Sequence, residues 1–290
     1  MLSVLLYRRS EGPALSRSEL LVQMRGHGAQ LRQVTEHYVC GHWQDDATGA
    51  QVTIDCGQPP LSTHAAATTH HDDPHAEPKD YPGWLPLAIS IHLPLTGPHW
   101  LCVEVGRWLE SLLANLPNCG ALISEDVGRE GEDGYGPGPL DRPRLLACWE
   151  HCHGAQTESL RLPRMERRSS LQLWRYRREA GQGATAEPQL NWPQALVLGR
   201  DITALSTAIW PGPEQHWVLP PVDLVVIQRD GEGGLLPSDE LRTAAGGGQP
   251  LPHGGGLHIA PSPALVKLYQ SARLIPSSDY RALDHLEWAD

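Results

Sequence analysis

Between residues 101 and 116 the apolar positions Leu101, Val105, Trp108, Leu109, Leu112, Leu113 and Leu116 recur every three or four residues, a spacing that an α-helix gathers on one side. Glu104, Arg107, Glu110 and Ser111 fall on the remaining face. Such a stripe must be covered, so the chain needs a layer for this helix to lie on, with Trp108 and Leu112 buried and Glu104 and Glu110 in water. The flanking segments supply the layer. Residues 3–7 and 85–93 have strand character, and residues 119–124 return to it after the helix. Residues 36–40 and 51–55 flank Asp45-Asp46-Ala47-Thr48-Gly49, whose turn formers predict a hairpin. Ser16-Arg17-Ser18-Glu19 has the form of a capping box ahead of Leu20, Leu21 and Met24 and predicts a helix start. The first half therefore reads as strand, helix, three strands, helix, strand, with helices packed on one face of a mixed sheet. Residues 57–81, rich in Pro, Thr, His and Asp without an apolar period, read as a surface excursion.

Repeated Gly and Pro over residues 128–139 predict a boundary. The expected fold is α+β, two α/β lobes spanning residues 1–127 and 140–290, each a mixed sheet with helices on one face. In the second lobe the pattern predicts helices over 165–179 and 264–270 and strands over 195–199 and 223–228. Residues 246–256 form a Gly-rich loop without the Lys-Ser/Thr of a phosphate cradle. Residues 4–9 with Ser18-Glu19-Leu20, and residues 224–229 with Asp239-Glu240-Leu241, share a strand, loop, helix order. That order fits a duplicated lobe, and equally fits two unrelated units of a common kind.

Formal charge bounds the partners. At −11 the 290-residue chain is a poor match for nucleic acid, whose binding is driven by Lys and Arg neutralising phosphates, and a better match for a basic protein. No segment approaches the roughly 18 apolar residues of a membrane span, and residues 1–9 read as a strand rather than a leader, so a cytoplasmic location is expected. Without a secretion signal, Cys40, Cys56, Cys102, Cys119, Cys148 and Cys152 are expected as reduced thiols.

Cys148, His151 and Cys152 are the densest group of potential ligands. If helical, they lie at i, i+3 and i+4 and could converge on zinc with one open position. The other reading of the same residues is two half-buried thiols beside surface histidines, and no cofactor is expected unless these three bind zinc. His64, His70, His71, Asp72, Asp73 and His75 lack the alternation of a binuclear metal motif and read as a solvated loop. The nucleophile elbow, the HExxH zinc motif, the Walker and dinucleotide glycine patterns and the kinase signatures have no match, and scattered Ser, His and Asp define no triad. Glu125, Asp126, Glu130, Glu132 and Asp133 bunch at the boundary loop, where an acidic run is either a solvated linker or a partner-binding edge.

Trp210-Pro211-Gly212-Pro213 followed by Leu219-Pro220-Pro221-Val222-Asp223 and the apolar run to Arg229 resembles a pattern in a family of uncharacterised bacterial proteins. Leu171-Gln172-Leu173-Trp174-Arg175-Tyr176 and Asp46-Ala47-Thr48-Gly49 agree in order, while Trp174-Arg175-Tyr176 replaces a Trp-x-Trp-Asn and His92-Leu93-Pro94 an Asn-x-x-Arg-Pro. The resemblance implies an immunity protein, encoded beside a toxin and neutralising it by contact. An acidic binder needs no active site, and the chain has ten Trp from which interface anchors could be drawn, although most are expected in cores. The alternatives are a zinc-dependent hydrolase or deaminase built on Cys148, His151 and Cys152, and a structural subunit of a secretion system.

Overall fold

The computed structural model describes residues 1–12, 15–57, 81–116, 118–126, 136–229, 232–252 and 255–290. The chain is α+β and divides by its contacts into two units, Met1–Leu95 with Leu101–Gln156, and Thr96–Trp100 with Thr157–Asp290. The division falls within a helix after Gln156, whereas residues 128–139, where the composition suggested a cut, lie inside the range of the first unit. No helix among the described residues is long and apolar enough to cross a membrane.

In the first unit β1 (Leu2–Arg9) leads to α1 (Arg17–Gly26), then to β2 (Gln30–Thr35), β3 (Tyr38–Gln44), β4 (Gln51–Cys56) and β5 (Trp84–Leu93). After these come α2 (Trp100–Ala114), β6 (Cys119–Ile123) and α3 (Arg142–Leu160). The six strands form one sheet, in order β2-β3-β4-β5-β1-β6, antiparallel throughout rather than mixed. The capping box forms as expected: the Ser16 hydroxyl accepts from the Glu19 N–H, and the Glu19 carboxylate accepts from the Ser16 N–H. Alternation along the strands sends Leu2, Val4, Leu6, Val52, Ile54, Ile89, Ile91 and Leu93 to one face, where they pack with Leu20 and Met24 of α1 and Val105, Trp108, Leu109 and Leu112 of α2. The predicted stripe is thus the core-facing side of α2. Trp108 is further fixed by its indole N–H, which donates to the His27 carbonyl at 2.9 Å, and by stacking on Trp43 at 5.0 Å.

Glu104 departs from expectation. It is only 9% exposed and accepts from Arg107 Nη1 at 2.9 Å, while Glu110 lies in water as predicted. Glu104 sits one turn before Trp108, at the margin of the stripe, and α2 is covered on more than its sheet side. A Cβ added at Gly106 would lie within 4 Å of Arg142 and Leu145 of α3. β2 has no counterpart in the predicted elements either, because an edge strand with five of its six residues exposed carries no apolar alternation to read.

The second unit contains α4 (Arg167–Ala186), β7 (Ala195–Arg200), β8 (Thr203–Ile209), β9 (Trp217–Leu219), β10 (Leu224–Arg229), β11 (Glu232–Pro237) and α5 (Ser238–Ala244). It continues with β12 (Gln249–Pro250), β13 (Leu257–Ile259), α6 (Pro263–Ser271), β14 (Ile275–Pro276) and β15 (Arg281–Leu283). One sheet runs β14-β11-β10-β8-β7-β15 and is mixed, since β8 and β10 are parallel; a second runs β12-β13-β9. The supposed duplication does not extend to topology. β10 is followed by its antiparallel partner β11 before α5, whereas β1 leads directly to α1.

Candidate functional site on the outward face of the first sheet

Residues that alternate with the core set form the other face of the first sheet. At one end of it Tyr7, Tyr81 and Leu122 are buried together, with Leu5 and Trp84 half-buried against them. The Trp84 ring reaches β6, so that a Cβ at Gly120 would come within 2.7 Å of it, and the Arg9 guanidinium lies over the ring, 4.2 Å from its centre. Glycine at position 120 is therefore what admits the indole to this face. Further along, the register aligns Gln30, His42, Thr53, His92 and Ser3 in one row and Arg32, Cys40, Asp55, Ser90 and Leu5 in the next. Part of this polar region, including Arg32, Cys40, His42, Thr53 and Asp55, lines an open groove of about 680 Å³.

Within the rows four side chains are joined end to end. Ser3 Oγ lies 2.8 Å from His92 Nδ1, His92 Nε2 lies 3.1 Å from Asp55 Oδ2, and Tyr38 Oη lies 2.6 Å from Asp55 Oδ1. An ionised carboxylate can only accept, so His92 Nε2 carries the proton shared with Asp55, and in the tautomer with no second proton Nδ1 offers its lone pair to the Ser3 hydroxyl. Burial, and then the bond to Asp55, push the Tyr38 phenol well above its ordinary value, which keeps it protonated and donating. The register explains which nitrogen meets which partner. Ser3 is directly opposite His92 and meets the ring atom nearer the backbone, whereas Asp55 is opposite Ser90, diagonal to His92, and meets the far one. The Ser3 N–H is itself held by the Ser124 hydroxyl at 3.1 Å.

The residues singled out in the sequence lie elsewhere. Cys148, His151 and Cys152 all lie on α3, where Cys148 is 6% exposed and faces the core, Cys152 is half-buried and His151 is exposed. The helix turns Leu145, Cys148, Trp149 and His153 inward, with His153 stacked on Trp149 at 4.2 Å and bonded to the Leu95 carbonyl at 3.0 Å, and this rotation leaves His151 on the opposite side. Among the described residues no three His, Cys, Asp or Glu side chains are gathered as a metal ion would require. All six cysteines are free thiols. Burial pushes Cys56 up to about 12, and burial and Glu125 together raise Cys152.

Of the acidic run, Glu125 is exposed, while Asp126 is 8% exposed and receives Arg144 through Nε at 3.2 Å and through Nη2. The 3₁₀ turn over Ser124–Asp126 breaks the strand alternation and rotates Asp126 inward. Glu130, Glu132 and Asp133 lie outside the described residues, as do His64, His70, His71, Asp72, Asp73 and His75. Asp126→Asn is therefore expected to cost about 1–3 kcal/mol of stability, the worth of hydrogen bonds to a charged group, in thermal unfolding. Glu125→Gln should shift stability by no more than about 0.5 kcal/mol.

Fold and site together define the class: a two-unit α+β chain whose first sheet has one face covered by helices and the other carrying an aromatic cluster beside a polar, hydrogen-bonded row. No family model, no curated protein and no solved structure matches the chain.

Proposed function

We propose that this chain is a binding protein, and specifically an immunity protein that neutralises a cognate bacterial toxin by direct protein–protein contact in the cytoplasm. The observation that carries the reading is the outward face of the first sheet. A half-buried Trp84 backed by Tyr7, Tyr81 and Leu122, bordered by two polar rows that hold Ser3, His92 and Thr53 in one and Asp55 in the other, has the anatomy of an interface centre with a polar rim. The formal charge of −11 and the resemblance around residues 210–229 support a basic partner and a toxin respectively. Trp100, Trp108, Trp149, Trp210, Trp217 and Trp288 are each no more than 6% exposed, and of the half-buried indoles Trp84 is the one set in this aromatic cluster, which makes it the anchor to test.

The test is co-purification with the product of the neighbouring gene, together with growth of cells expressing that product. The wild-type chain should form a stoichiometric complex and restore growth, and Trp84→Ala should weaken binding at least about 30-fold, a hot-spot loss of 2 kcal/mol or more. Failure of the wild type to bind that product, or full retention of affinity by a folded Trp84→Ala chain, would overturn the reading.

A further inference from the structure

The chain from Ser3 through His92 to Asp55 has chemical content beyond the proposed contact function. A hydroxyl that donates to a neutral imidazole, whose other nitrogen donates to a carboxylate, is the arrangement that makes a serine nucleophilic. As the hydroxyl attacks, the imidazole takes its proton, and the carboxylate stabilises the imidazolium that forms. The distances fit this arrangement in the Nε2–H tautomer: 2.8 Å from Ser3 Oγ to His92 Nδ1 and 3.1 Å from His92 Nε2 to Asp55 Oδ2. Asp55 is itself oriented by the Tyr38 hydroxyl at 2.6 Å. The ring is entered through Nδ1 rather than Nε2, which reverses the usual serine hydrolase assignment without changing the proton transfer, since either imidazole nitrogen can be the base when the other carries hydrogen. The His92 and Asp55 side chains are 13% and 29% exposed and Ser3 is half-buried, so the relay is shielded yet open to a ligand on the outward face.

We infer that Ser3 is a nucleophile for acyl transfer from carboxylic esters, with His92 as general base and acid and Asp55 as its orienting carboxylate. Ser3 Oγ bonds to the ester carbonyl carbon while its proton passes to His92 Nδ1. The tetrahedral adduct then expels the alcohol, which leaves with that proton, and acyl-Ser3 remains. A water molecule gives its proton to Nδ1 as its oxygen attacks the acyl carbon; Ser3 departs and recovers the proton, so that ester and water become acid and alcohol. The Ser3 N–H, which could otherwise help to stabilise the developing oxyanion, is engaged by Ser124 Oγ at 3.1 Å. Simple esters should therefore turn over slowly, and a covalent trap is the sharper readout than steady-state hydrolysis.

The experiment treats the full chain with a fluorophosphonate, which phosphonylates activated serines, and locates the adduct by peptide mass spectrometry. The expected result is a single adduct on Ser3, absent in Ser3→Ala. Its rate of formation should fall about 10²-fold or more in His92→Gln, the scale of a lost general base. Asp55→Asn, which keeps the size of the side chain and removes the charge, should slow labelling in the same direction. It provides the second reading if His92→Gln unfolds, as judged by its thermal transition. An unlabelled Ser3 in the folded wild type, labelling of other serines at equal rates, or a rate unchanged in a folded His92→Gln or Asp55→Asn chain would each overturn the inference. The readout is covalent and made without a partner protein, so its failure is distinguishable from a failure of the contact reading.

Discussion

Replacing Trp108 by alanine is expected to remove about 3–5 kcal/mol of unfolding free energy from the first unit. Three effects add. The indole is buried at the centre of the α2 stripe, so its loss returns apolar area to water and leaves a cavity between helix and sheet. The His27 carbonyl, which accepts the indole N–H at 2.9 Å, loses that donor, and Trp43 loses the ring it stacks on at 5.0 Å. Calorimetry should show the loss, with Glu110→Ala on the exposed side of the same helix changing stability by no more than about 1 kcal/mol, the worth of its exposed ion pair with Arg142. An unchanged transition in Trp108→Ala would show that α2 does not face the sheet through this residue.

A comparable loss, about 3–5 kcal/mol, is expected for Asp290→Ala in the second unit, because removing one partner of a buried charged network leaves the rest unpaired. The Asp290 side chain is 2% exposed. Oδ2 accepts from His99 Nδ1 and from Ser170 Oγ, each at 2.6 Å, Oδ1 accepts from the His99 N–H at 3.0 Å, and Ser170 in turn accepts the Trp100 indole N–H at 3.0 Å. Burial is the largest single influence on this carboxyl and would raise its pKa. The hydrogen bonds from His99 and Ser170 together outweigh it and hold the group below the usual range.

Since the folded value lies below the unfolded one, near 3.9, the associated stabilisation is complete above about pH 4 and is lost as pH falls through the folded value. Denaturant unfolding of the wild type and of Asp290→Asn between about pH 2 and 7 should show a steeper acid decline in the wild type. Identical acid limbs would contradict the assignment.

What could be read from the residues depended on whether they declare a period. The α2 stripe, the Ser16/Glu19 capping box and the alternation of β1 and β5 are local patterns, and the structure follows them closely. β2 and β11 were illegible for opposite reasons. The first is exposed along its length, and the second carries Gly233 and Gly234 before Pro237, residues that mark a loop until β10 and β14 pair with them. For Cys148, His151 and Cys152 the spacing was right for one helical face, but spacing does not say how the helix is rotated; Trp149 and His153 packing inward decide that, and His151 is left outside.

The site was less legible than the fold. Ser3 and His92 are 89 residues apart and His92 and Asp55 are 37 apart, so their union rests on strand order and register rather than on any local motif. The one available signal was that all three are polar positions in strands whose neighbouring residues are apolar.

The most direct measurement of the central claim is the rate of association and dissociation between this chain and the neighbouring gene product over a range of salt. If the outward face of the first sheet makes the contact, Trp84→Ala should hasten dissociation with little change in association, because central anchors act on release. Raising ionic strength to about 0.5 M shortens the Debye length to roughly 4 Å and should slow association while leaving dissociation nearly constant. Dissociation unaltered by Trp84→Ala in a folded chain, or association insensitive to salt, would contradict an acidic protein that captures its partner through this face.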